Sequence, residues 1–91
     1  MDDTTIKLSK HAIARMRERK ISLEEVHEAV NDPFQLVYDM WNDVYIVVSI
    51  RGIAVVYALH GKNVEVLTVL SRREYEALLS KHGSKRYKVI M

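Results

Sequence analysis

Hydrophobic and polar positions change period partway along the chain. From Lys10 to Lys20 there is neither Gly nor Pro, and Ala12, Ile13 and Met16 recur at helical spacing behind Ser9, a good N-cap. His11, Arg15 and Arg19 follow at i, i+4 and i+8 along one edge of that helix. Ser22-Leu23-Glu24-Glu25 has the capping-box pattern, so a second helix starts there, buries Val26, Ala29 and Val30, and stops near Asn31-Asp32-Pro33. The two helices are expected to form a hairpin about Lys20-Ile21.

Beyond Phe34 the period shortens. Phe34 to Trp41, Val44 to Ile50, Ile53 to Leu59 and Val64 to Leu70 are rich in β-branched and aromatic residues. The segments between them, Asn42-Asp43, Arg51-Gly52 and His60 to Asn63, are of hairpin length. An antiparallel meander follows, covered on one face by the helices, with Ile53 to Leu59, apolar on both sides, as a central strand. Ser71-Arg72-Arg73-Glu74 opens a third helix carrying Tyr75, Leu78 and Leu79, and Gly83 ends it. The tail from Lys85 to Met91 alternates and adds an edge strand or frays. The fold class is therefore α+β, one domain over residues 1–91, with an N-terminal helical hairpin packed on an antiparallel sheet of four to five strands.

Charge sharpens this picture. The net charge is only +2, but the segment 10–20 holds five Lys or Arg against the single acid Glu18, and Lys81, Lys85, Arg86 and Lys88 crowd the tail. Such basic ends suit a phosphate backbone, since Lys and Arg replace its counterions; solvated surface is the plainer account. No cysteine is present, which removes disulfides and thiolate zinc sites and points to a reducing, cytoplasmic compartment. The N-terminus is acidic where a signal peptide is basic, and Ser49, Arg51 and Gly52 interrupt the most apolar tract before it reaches membrane-spanning length.

The four histidines lie at no metal-ligand spacing and the acids do not cluster, so no metal and no cofactor is expected. What remains is chemistry by bases and cations. Cleavage of RNA by its own 2′-hydroxyl needs a proton acceptor and a cation for the charged phosphorus centre. His11 suits the first role, Arg15 and Arg19 the second, and Lys10, Arg72, Lys85, Arg86 and Tyr87 would line the nucleic acid. His60, in a turn beside Gly61, is a secondary candidate. Against these stand ordinary surface ion pairs for the arginines and simple packing for Tyr87. Trp41 beside a turn could stack on a base, although covering the edge of a small core is the plainer role.

Ser9-Lys10-His11-Ala12 with Arg15 and Arg19, then Ile21-Ser22-x-Glu24-Glu25-Val26, then Val66-Leu67-Thr68-Val69-Leu70, resembles an uncharacterised domain family grouped with the RelE/ParE toxins. The resemblance spans His11 to Leu70 and implies a RelE-like fold. It also implies a toxin-like, metal-independent messenger-RNA endonuclease, with gyrase inhibition or a non-catalytic nucleic-acid- or protein-binding role on the same scaffold as alternatives. It adds Thr68 to the secondary candidates. The partners implied are RNA, an antitoxin-like protein and a second copy of the chain. One departure is that Phe34 to Leu70 carries only Arg51 and Lys62, where RelE-type nucleases have denser cations on their strands.

Overall fold

A computed structural model describes residues 5–91. The elements are β1 (Thr5–Leu8), α1 (Lys10–Arg19), α2 (Leu23–Asn31), β2 (Gln35–Asp39), β3 (Val44–Val48), β4 (Ala54–His60), β5 (Asn63–Leu70), α3 (Arg72–His82) and β6 (Tyr87–Val89). A 3-10 turn, Gly83–Lys85, joins the last two. The strands form one sheet in the order β1-β5-β4-β3-β2-β6.

Local chemistry accounts for the helix boundaries. The Ser9 hydroxyl accepts from the Ala12 N–H, while Ser22 and Ser71 each form a complete capping box with Glu25 and Glu74. At the end of α1, Lys20 adopts a left-handed backbone (φ 56). The Ile21 N–H then donates to the Met16 carbonyl at 2.9 Å and the Lys20 N–H to that of Arg17 at 3.3 Å, closing the last turn as a Schellman motif. In the β3–β4 turn the buried Ser49 hydroxyl accepts from the N–H groups of Arg51 and Ile53, and Gly52 sits at φ 88, where a side chain would be strained.

Three expectations need correction. The described residues open on a strand, β1, ahead of the two helices, so the helical hairpin predicted at the N-terminus is not what forms. Instead α1 packs over β5 and α2 over β3 and β4, each burying its own apolar side on the sheet. The sheet is mixed, with six strands rather than an antiparallel four or five: β1 runs parallel to β5, from Thr5 opposite Asn63 to Leu8 opposite Val66. Lastly, helices cover both faces. Val47, Val55, Val66 and Val69 pack with Ala12, Met16, Val26 and Ala29, whereas Val37, Ile46, Val48, Ala54 and Leu70 pack with Tyr75 of α3 and Tyr87 of β6. The RelE-like arrangement is thereby replaced by a sheet sandwiched between α1 and α2 on one side and α3 on the other. The reason is that nearly every central-strand residue is apolar, and a sheet hydrophobic on both sides must bury both.

The β2–β3 and β3–β4 pairings and the edge role of the tail agree with the hydrophobic pattern. In β5 a bulge lets Val56 face Thr68 and Tyr57 face Val66, so Leu67 is extra. No described helix is long and apolar enough to cross a membrane.

Ile46 is 2% exposed and Ile50 is 77% exposed, although both are isoleucines of the same hairpin. Ile46→Ala should therefore cost about 2–5 kcal/mol of stability in a denaturant titration, and Ile50→Ala within about 0.5 kcal/mol of nothing. Equal effects would show that the α3 face is not a packed core.

Candidate nucleic-acid interface

Among the described residues Asp39, at the end of β2, is a buried acid. Its position on the inward face beside Val37 leaves it 2% exposed. A carboxylate so placed needs donors, and it has five. The N–H groups of Trp41 and Asn42 lie 3.0 and 3.3 Å from Oδ1, and Asn42 Nδ2 lies 3.2 Å from Oδ2. Arg86 grips both oxygens, Nε at 3.1 Å from Oδ1 and Nη2 at 2.9 Å from Oδ2. Burial pushes the Asp39 carboxyl up, but the hydrogen bonds from Arg86, Asn42 and the two backbone amides outweigh it and hold the group below its ordinary range. The same pairing raises Arg86.

The Arg86 guanidinium lies over two rings, 5.1 Å from the centroid of Trp41 and 5.0 Å from that of Tyr87. His82 meets Trp41 edge-on at 4.9 Å. Trp41 itself is 60% exposed. Arg86 and Tyr87 also line a groove of about 270 Å³ on the α3 side of the sheet, floored by Val44, Ile46, Val56 and Leu67 and edged by Asn42 and Thr68. The Tyr87 hydroxyl is buried with no hydrogen-bond partner among the described residues, and burial raises its pKa. On the other side of the same strands Tyr38, Tyr45 and Tyr57 form a row across β2, β3 and β4, with centroids 5.2 and 5.6 Å apart. Lys88 continues that row opposite Tyr38.

The residues singled out from the sequence fall into separate groups. Thr68, Arg86 and Tyr87 share the groove, and Lys85 precedes Arg86 on an exposed turn. Lys10 and His11 are exposed on the first turn of α1. Arg15 and Arg19, on the same helix, reach Glu74 of α3: Arg15 Nη2 lies 2.8 Å from Oε2, and Arg19 closes a two-pronged pair at 3.1 and 2.7 Å. Arg72 pairs with Glu76 on an exposed turn of α3, and His60 with Glu65 across the β4–β5 hairpin. No hydrogen bond or ion pair among the described residues joins the α1 group to Arg86. Nor do three His, Cys, Asp or Glu side chains among them converge on a metal-sized point.

Glu74 is held by Arg19 first and then by the Ser71 N–H, with burial opposing them and Arg15 adding a lesser pull, and its pKa falls from 4.5 to about 2. Asp39, Asn42, His82 and Glu74 were not among the residues predicted. Asp39 carried a signal, an acid on the same strand face as Val37 with no cation near it in sequence. Glu74 carried one only as a capping residue.

Two predictions follow from these carboxylates. Because the folded-state pKa of Glu74 is depressed, its stabilisation is complete above about 4.5 and is lost as pH falls toward about 2. Acid unfolding of Glu74→Gln should therefore be flatter in that window, with Asp39 supplying the slope that remains; an unchanged profile would remove Glu74 from the account. Asp39→Ala and Arg86→Ala should each cost about 3–5 kcal/mol, and the double variant much less than the sum, because each single change strands a buried charge. Additive costs in urea would refute the coupling.

Comparison with known protein families matches residues 8–71 to the family described as "Domain of unknown function (DUF4258)". That segment includes Arg15, Arg19, Asp39, Trp41 and Thr68 and stops before Glu74, Arg86 and Tyr87. No curated protein and no solved structure gives a significant match. The uncharacterised family implied by the sequence is thus found, without the link to RelE/ParE toxins that the resemblance carried. With its match running from Leu8 through β5 to Ser71, the chain belongs to the DUF4258 domain family.

Proposed function

We propose that this protein binds single-stranded RNA, through the edge of the sheet where β2 and β6 meet. One observation carries the reading. Trp41 is an exposed indole lying on a guanidinium that Asp39 and Tyr87 hold in place, so a base stacking there meets a surface whose ordering cost is already met. Lys85 is exposed on the turn just before Arg86, and Lys88 is exposed on the adjoining strand, where it faces the tyrosine row. Stacking with a cationic rim binds single strands, because the bases must be unpaired to offer their faces.

The toxin-like cleavage implied by the resemblance makes a different demand. It needs His11 with Arg15 and Arg19 at the phosphate, and there Glu74 already occupies both guanidiniums. A phosphate would have to displace that carboxylate. Binding at Trp41 needs no such exchange, and it is therefore the reading preferred over an endoribonuclease or a gyrase-directed toxin.

Trp41 is the only tryptophan, so its fluorescence reports on the site directly. Titration with a twelve-nucleotide single-stranded RNA should quench it saturably, with affinity falling as salt rises. Trp41→Ala, followed by anisotropy of labelled RNA, should weaken binding about 5- to 100-fold, and Lys85→Glu should lower the salt slope. The same RNA, kept with EDTA and resolved on a gel, should stay intact. Cleavage that disappears in His11→Ala would move the function to α1, and no quenching at low salt would end the RNA reading.

A further inference from the structure

At the opposite edge of the sheet, a second groove lies where α1 turns into α2. It has a volume of about 390 Å³. Leu8, Ile13, Met16 and Ile21 make it apolar, Arg17 and Lys20 stand on its rim, and no acid among the described residues lines it. Ile13 is 38% exposed, although the rest of the apolar side of α1 is buried. Neither cation makes a side-chain hydrogen bond or ion pair among the described residues, in contrast to Arg15 and Arg19 on the same helix. The groove adjoins β1, which ends the sheet and, among the described residues, pairs on one side only, with β5.

Lys20 adds an independent observation. It occupies the left-handed position that closes α1, φ 56, where glycine is the usual residue and any side chain is strained. Its side chain gives the fold no ion pair in return, yet it puts a cation on the rim of the groove.

We infer that this edge binds an extended, acidic and aliphatic peptide segment of another protein. The segment adds as a strand along the outer side of β1, with alternate apolar side chains in the groove and flanking carboxylates on Arg17 and Lys20. An unpaired strand edge supplies the backbone hydrogen bonds, the apolar floor reads every second residue, and the unpaired cations select for acid. Four apolar side chains on the floor favour such a peptide over a phosphate backbone, which would gain nothing from them. This surface is separate from Trp41, so the inference stands or falls apart from the RNA reading.

The test uses a fluorescein-labelled decapeptide of alternating valine and threonine with two glutamates at each end. Its lysine-flanked counterpart and a version N-methylated at alternate amides serve as controls. The acidic peptide should bind at least about tenfold more tightly than the lysine form, and N-methylation should abolish binding by removing the edge hydrogen bonds. Arg17→Ala and Lys20→Gly should each weaken binding about two- to fivefold. Lys20→Gly should do so with thermal stability unchanged or higher, which separates lost recognition from lost folding. Ile13→Asp should remove binding, and quenching of Trp41 by RNA should persist in all three variants. Equal binding of acidic and basic peptides, undiminished binding of the N-methylated form, or displacement of the peptide by single-stranded RNA would each overturn the assignment.

Discussion

The pairing of Asp39 with Arg86 is the constraint on which the functional end of the molecule depends. An ionised carboxylate at 2% exposure is tolerable only with its donors in place, and three of the five come from the turn that follows it while two come from the chain's last strand region. One group therefore shapes the β2–β3 turn, presents Trp41 at its tip and anchors the segment that carries β6. An apolar pair of similar size could be as stable, since a buried ion pair repays its desolvation only partly. What an apolar pair could not supply is a planar cation beneath an exposed indole. The charge at this point serves placement more than stability.

Glu74 solves a related problem at the other end of the sheet. The outer side of β5 is paired by β1 only as far as Val66. Beyond it, the chain turns into α1: the Ser9 N–H donates to the Val66 carbonyl and the Ser9 hydroxyl to that of Leu67. Past this point Arg15 and Arg19 extend to Glu74, tying the helix on one face to the helix on the other. Glu74 also completes the capping box of α3, so the residue that starts the helix fastens it in place. This explains how a pattern read from the sequence as a phosphate clamp is used internally. The stripe of His11, Arg15 and Arg19 is present on the helix, but a carboxylate nearly sixty residues away meets two of its members.

What the sequence showed, and what it hid, divides by range. Ser22 with Glu25 and Ser71 with Glu74 act within four residues, so both helix starts could be read directly. The four central strands were legible because their β-branched runs are bounded by turns. Thr5-Ile6-Lys7-Leu8 alternates as a strand should, with Ile6 and Leu8 toward the core, but four residues behind an acidic terminus give too short a pattern to separate from loop. Its parallel partner lies beyond two helices and three strands, and no local signal announces such a pairing. The covering of both faces was implicit in the doubly apolar β4, and only the position of α3 along the chain made it look like an appendage. At the candidate site Arg86, Tyr87 and Thr68 were named as separate possibilities; their meeting in one groove required the fold.

The order of the strands places the two candidate surfaces at opposite edges, the Trp41 stack beside β6 and the basic apolar groove beside β1. Four strands lie between them, so occupants of the two would not compete for space. A domain of this size usually leaves its sheet edges as liabilities to be blunted by charge or by short strands. Here both outer strands are short, three and four residues, which limits indiscriminate pairing, and each has cations nearby. The cations differ in their surroundings. Those near β6 stand beside stacked rings, where unpaired bases gain contact; those near β1 stand over aliphatic side chains, where a peptide does. Neighbouring chemistry, more than net charge, is what assigns different partners to two basic edges of one small sheet.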